Sequence, residues 1–202
     1  MNVITHALSG WCLAETMPRL EWRDRAIVVA SAVAPDVDGL GMIPELLTRD
    51  SREPLLWWTE YHHVLAHNLL FALVLATAAF ALARHHVRTA LLAFAAVHLH
   101  LLGDVLGSRG PDGYQWPIPY FAPSHSFVIT WDGQWTLNAW QNFAITVALL
   151  AITFVLAWSR GYSPVGLFSH RADAAFVGTL RARVPRTRNP SLSHRRRCSG
   201  RS

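Results

Sequence analysis

Residues 89–106 read TALLAFAAVHLHLLGDVL, and the reading of this stretch decides the fold. Only Thr89, His98, His100 and Asp104 interrupt eighteen residues of apolar sequence. The length is close to the ~20 residues that cross a bilayer core as a helix. A carboxylate inside such a segment is costly in hydrocarbon and is usually retained for function. His100 and Asp104 stand four apart, so a helix sets them on one face. His98 points roughly the other way and falls outside that pair.

The flanking sequence fits the same reading. Residues 64–83 and 139–158 are two further apolar stretches of spanning length. Two shorter apolar helices are expected at residues 3–17 and 24–34, the second ended by Pro35, whose ring disfavours helix in the residue before it. Residues 39–60 read as a linker, and residues 107–137 as irregular, rich in Gly, Pro and aromatics. The expectation is an all-α integral membrane bundle of about four to five helices. It occupies residues 1–160, followed by a basic, disordered cytoplasmic tail over residues 161–202.

Composition supports a membrane protein. Apolar residues make up 51% and charged residues 15%, against about 25% charged in soluble domains. Nine Trp suit the membrane–water boundary. Cys12 and Cys198 are the only cysteines, which excludes a disulfide scaffold and a Cys-based zinc site. The N-terminus lacks the basic region of a cleavable signal peptide. Ten of the 18 Arg follow position 159 and meet one acid there, Asp173. Under the positive-inside rule that tail is cytoplasmic, as are the turns at residues 18–25 and 84–88, while residues 107–137 lie outside.

Histidine and aspartate then converge. A chain folded near residue 86 brings His67 and Asp104 to nearly the same depth, at 1.5 Å rise per residue. A fold near residue 21 does the same for His6 and Asp36. Asp38 faces the same way as Asp36 if the segment after Pro35 is extended. His63 and His67 are four apart. His62 and His67 are five apart and share an ion only if His62 precedes the helix. Imidazole and carboxylate are the donors of zinc and similar divalent ions, so these groups form a candidate metal site at the bundle end remote from the Arg-bearing turns. Ser124, His125, Ser126 and Asp132 lack the nucleophile turn of a serine hydrolase. Six Trp, at 57, 58, 116, 131, 135 and 140, read as interfacial anchors ahead of a binding platform for acyl chains or a lipid headgroup, and His85 and His86 as solvated turn residues.

At these residues the chain resembles the YdjM-like family of inner-membrane metal-dependent hydrolases, whose first-named member is regulated by the LexA repressor. The family pattern runs from an early Thr-His through Pro-Asp-(Ile/Val)-Asp and His-Arg-Gly-x-Thr-His-Ser to His-x-x-x-Asp and Trp-Pro. The counterparts here are Thr5-His6, Pro35-Asp36-Val37-Asp38, residues 62–68 (HHVLAHN), His100 to Asp104, and Trp116-Pro117. The family's Arg is replaced by His63, and its Thr and Ser by Ala66 and Asn68. The resemblance implies His6, Asp36, Asp38, His62, His67, His100 and Asp104 as metal ligands, preferring His62 where spacing preferred His63. It also implies a distant likeness to zinc-dependent phospholipases C and single-strand nucleases.

The function expected is a membrane-bound metal-dependent hydrolase, using a metal-activated water on a phosphoester or lipid-type ester. Seven donors exceed the usual four of one zinc. That favours more than one ion, or a set in which Asp36 or Asp38 serves as general base. The expected partners are membrane lipid and the substrate, with no specific nucleic-acid binding. The alternative is a non-enzymatic membrane protein that binds, senses or transports divalent metal.

Overall fold

The computed structural model describes residues 1–110 and 113–184. Among them the fold is all helical: α1 (Val3–Ala14), α2 (Trp22–Val33), α3 (Met42–Thr48), α4 (Trp57–Tyr61), α5 (Leu69–Leu82), α6 (His86–Gly107), α7 (Trp140–Arg160) and α8 (His170–Arg183). Packing divides the chain into two compact units, Met1–Val155 and Leu156–Ser202.

In the first unit α1 and α2 form a hairpin, α2 packs on α6, and α6 pairs with α5. The α1–α2 crossing is close because position 10 is glycine. A Cβ there would meet the Ala32 Cβ at 2.5 Å, the small-residue contact by which apolar helices approach each other. Buried Ala14, Leu20, Val28, Ala32, Leu92 and Ala96 form one core cluster, and Ala72, Val97, Leu101 and Ile118 another. At the turn end, Arg25 pairs with Glu15 at 2.7 Å. Asp24 accepts from the Arg84 and His85 amides and from His85 Nδ1 at 2.7–3.1 Å. His85 is therefore a structural tie between α2 and the α5–α6 turn, where solvation alone was expected.

Three helical stretches are long and apolar enough to cross a membrane: Trp22–Thr48, His86–Gly107 and Trp140–Arg160. The second and third match the expectation; the first does not. Residues 64–83 yield only the 14-residue α5, because residues 62–68 are turn and Asn68 caps the helix by accepting from the Phe71 amide at 2.9 Å. Asparagine so placed satisfies one of the otherwise unpaired first-turn amides. Pro35 ends the α-helix at Val33, yet the chain continues as a 3-10 helix over Ala34–Gly41. Proline is tolerated in a first helical turn because its missing N–H would be unpaired there anyway. Residues 39–60 are correspondingly no plain linker, since they hold α3 and α4.

In the second unit the first part of the tail is helical. Residues Pro164–Leu167 form a 3-10 turn, followed by α8. Ser169 caps α8, Asp173 lies in its first turn, and Arg181 and Arg183 lie in its last, the charge order that complements a helix dipole. Asp173 accepts from the Ser163 amide and hydroxyl at 2.8 and 2.6 Å. The expected disorder of residues 185–202 lies outside the described residues.

Candidate metal centre

Four separated segments deliver the site. His6 comes from α1, Asp36 and Asp38 from the 3-10 turn after α2, residues 62–67 from the turn before α5, and His100 and Asp104 from α6. Two groups of side chains could hold a metal ion: His6, Asp36, His100 and Asp104; and His63, His67 and Asp104. In each group one donor atom per residue lies within 4.8 Å of the others. Asp104 belongs to both, and it is buried with His6, His67 and His100 at 2% exposure or less. Its Oδ2 stands 3.0 Å from His100 Nε2 and 3.4 Å from His67 Nε2, and its Oδ1 3.3 Å from His6 Nε2. The Met1 amino group also lies against Asp104.

The segment from 62 to 68 is not the helix that an i,i+4 argument for His63 and His67 presumed. His63 sits in the left-handed region, at φ 64°, a position costly for a residue with a Cβ and concentrated at functional sites. That turn carries the His63 ring to 4.3 Å from the His67 ring, and its Nε2 to 4.0 Å from Asp104 Oδ2. Burial pushes the His63 imidazole down to about 2, so the ring is neutral at ordinary pH.

Asp36 and Asp38 diverge. In a 3-10 helix residues two apart project in different directions, so the expectation of a shared face fails. Asp36 Oδ1 lies 3.7 Å from His100 Nε2. Asp38 instead accepts from His62 Nδ1 at 2.9 Å and from His67 Nδ1 at 3.0 Å. The Ala66 amide donates to it as well, at 3.3 Å. Neither Asp38 nor His62 enters the two donor groups. Asp38 occupies the place of a carboxylate that orients a ligating imidazole.

The donor chemistry fits a cation. His100 Nδ1 must donate to the Ala32 carbonyl, 2.8 Å away, because a carbonyl only accepts. His67 Nδ1 donates to the Asp38 carboxylate. In neutral rings both Nε2 atoms therefore present lone pairs, and they face each other at 3.1 Å beside Asp104. Lone pairs so opposed are answered either by a proton on His67, whose pKa Asp104 and Asp38 raise to about 9, or by a metal ion among them. His6 Nε2, His63 Nδ1, Asp36 Oδ2 and Asp104 Oδ2 are all buried without a hydrogen-bond partner, a condition rare enough in folded proteins to require a cause.

A cavity of about 450 Å³ opens onto the cluster, lined by Asp36, His62, His63 and Asp104 together with Trp58, Arg109, Tyr114 and Trp116. Trp58 stacks on His62 with ring centres 5.3 Å apart, and Trp116 lies edge-on to His62 and His63. Glu45 fixes Trp58 by accepting from the Trp58 and Thr59 amides at 2.9 Å, at the start of α4. These two indoles wall the cavity, in keeping with a binding platform, the second of the two roles open to the six Trp. Their placement beside His62 and in Trp116-Pro117 was the available signal. Trp140 does stand 74% exposed. His98 is turned away and bonds the Tyr120 hydroxyl at 2.7 Å. His125 lies in an exposed turn, accepting from the Phe127 amide.

The end of α6 is stitched in place. The Asp104 carbonyl accepts from the Ser108 hydroxyl at 2.7 Å and from the Gln134 amide at 2.8 Å. The Asn142 side chain bonds the Gly107 carbonyl at 2.8 Å and the Trp135 indole at 2.8 Å. A Cβ at position 107 would stand 2.2 Å from that indole nitrogen, so only glycine admits it.

A family model described as YdjM inner membrane protein matches residues 1–166. Among curated proteins and among solved structures, none is significantly similar. With the match spanning the whole helical unit that carries the cluster, the chain belongs to the YdjM inner membrane protein family.

Proposed function

We propose that the chain is a membrane-embedded, metal-dependent hydrolase of phosphoesters or other esters. The observation that supports this best is the 450 Å³ cavity opening directly onto buried donors that lack partners. His6, His100 and Asp104 would hold one ion with Asp36 beside it, and His63, His67 and Asp104 would hold a second. Zinc suits a histidine and carboxylate set in a structure of this kind. Such an ion supplies Lewis acidity toward an ester oxygen and a nucleophile at neutral pH.

The chain's own residues divide the remaining work. Asp38 and the Ala32 carbonyl orient His67 and His100. Asp36 borders the cavity, and its Oδ2 is free of hydrogen bonds, so it is the carboxylate positioned to take a proton from an attacking water. The Asp38 oxygens are both occupied by histidines, which leaves Asp38 unsuited to that task. Trp58 and Trp116 line the histidine side of the cavity. Leu92, Ala93, Ala96 and Val97 are buried and apolar along α6 below the cluster. This favours a closed site over a through-path for ion transport. The Arg bias of the turns supports a non-cytoplasmic location for the cluster.

The test is elemental analysis of detergent-purified protein beside hydrolysis of bis(p-nitrophenyl) phosphate and p-nitrophenyl acetate. Stoichiometric zinc, with hydrolysis abolished by chelation and restored by zinc, is the expected result. Folded protein that holds no metal, or that holds zinc without cleaving either ester or any phospholipid, overturns the proposal.

A further inference from the structure

Arg109 borders the same cavity as Asp36, His63 and Asp104, and the hydrolase reading leaves it without a role. Its Nε–H is buried and donates no hydrogen bond. Among the described residues no carboxylate lies within ion-pair reach of it. A covered guanidinium N–H without an acceptor carries a desolvation cost, and such a group calls for a missing partner. The backbone at this position is fixed. The Arg109 amide donates to the Trp135 carbonyl and its carbonyl accepts from the Leu137 amide, each at 3.1 Å, in a parallel bridge with Thr136. Arg109 also borders a second opening with Thr136, Leu137 and Asn138, so the side chain is reachable although its Nε is covered.

We propose that Arg109 is the anion-recognising residue of this cavity, and that the group it binds is a phosphoryl group, free or on a lipid headgroup. This rests on the hydrolase reading of the site and narrows its substrate class. Asp36 and Asp104 repel any anion that enters, so binding one takes positive charge on both sides of it. The cation at the donor cluster is one source and Arg109 the other. The guanidinium fork engages two oxygens in parallel. A phosphoryl group keeps a further oxygen for the cluster, whereas both oxygens of a carboxylate are taken by the fork. Tyr114, Trp116 and Leu137 line the same space and accept the apolar remainder of the ligand.

The experiment uses the full chain, zinc-loaded in neutral detergent, as wild type, Arg109→Gln and Arg109→Lys. Calorimetry measures binding of inorganic phosphate and of dihexanoyl phosphatidic acid below its micellar concentration. Zinc content and thermal unfolding are measured on each sample. The expected result is binding weakened about tenfold or more in Arg109→Gln, as for loss of a charged hydrogen-bonding partner, with zinc content unchanged and partial recovery in Arg109→Lys. Tighter binding of the lipid than of phosphate assigns the group to a headgroup, and equal binding to a soluble ester; both support the proposal. If the Gln variant fails to fold, weakened binding by the folded Lys variant carries the test. An Arg109 that only complements the end of α6 would lower thermal stability and leave both affinities unchanged, which overturns the proposal, as does wild type that binds neither anion. Zinc retained with Arg109-independent binding overturns this inference alone. Arg109-dependent binding in protein that holds no zinc overturns the hydrolase reading alone.

Discussion

The two ends of α6 each bury an aspartate against a histidine, and they differ in how those groups are answered. At the N-terminal end Asp24 receives two backbone amides and the His85 ring. At the other end Asp104 gathers three histidines, yet its Oδ2, His6 Nε2, His63 Nδ1 and Asp36 Oδ2 have no hydrogen-bond partner. Asp24 and His85 meet across 61 residues of sequence, whereas His100 and Asp104 stand four apart. The first end is a completed cap that holds a helix turn. The second holds the Met1 amino group against Asp104 but leaves the His67 and His100 Nε2 atoms facing each other and four buried polar atoms unanswered. A count of donors against acceptors, more than the presence of His and Asp, separates structure from site.

The sharpest way to break this comparison is Asp104→Ala. Metal affinity is expected to fall at least about 100-fold, more than for loss of an orienting partner; elemental analysis and chelator competition measure it. Undiminished zinc in that variant removes the distinction between the two ends. Asp24→Ala is the matching change at the capped end. It leaves the Arg84 and His85 amides unanswered, which lowers the unfolding midpoint by on the order of 5 °C, while zinc per folded chain stays at the wild-type value. Selective loss of zinc there would make both ends one system.

Asp38→Asn tests the layer between the extremes. Its expected effect is about 10- to 100-fold in metal affinity, with the fold intact. An effect as large as that of Asp104→Ala would make Asp38 a ligand. The smallest effect concerns pH. Burial holds the His63 pKa at about 2, so the ring stays neutral above that value and takes up no proton between pH 5 and 8. The acid limb of zinc binding should therefore keep its midpoint in His63→Gln. A midpoint that moves by a full unit would assign the titration to His63.

Much of the site's depth was legible in the chain. Counting residues from the two turns placed His6 with Asp36 and His67 with Asp104, because helical rise is constant and both links are short. What escaped were directions rather than depths. The opposed aims of Asp36 and Asp38 depend on a 3-10 turn where extended chain was assumed. His63 reaches Asp104 through a left-handed turn that no periodicity encodes. Arg109, Trp58 and Trp116 enter from segments whose composition reads as loop, and their convergence is purely tertiary. The capping signals of α8, Ser169 and Asp173, were readable but were outweighed by the arginine and proline content around them.

The bond from His100 to the Ala32 carbonyl has a consequence for how the protein can drift. The acceptor is an atom that every amino acid carries, so no substitution at position 32 deletes it. That ring's aim is thereby sheltered from point mutation at its own support. The constraint on residue 32 passes instead to its size, because its Cβ sits where the side chain of anything larger than Gly10 would fall. A volume change at either position would misalign a donor that neither residue touches through its side-chain chemistry.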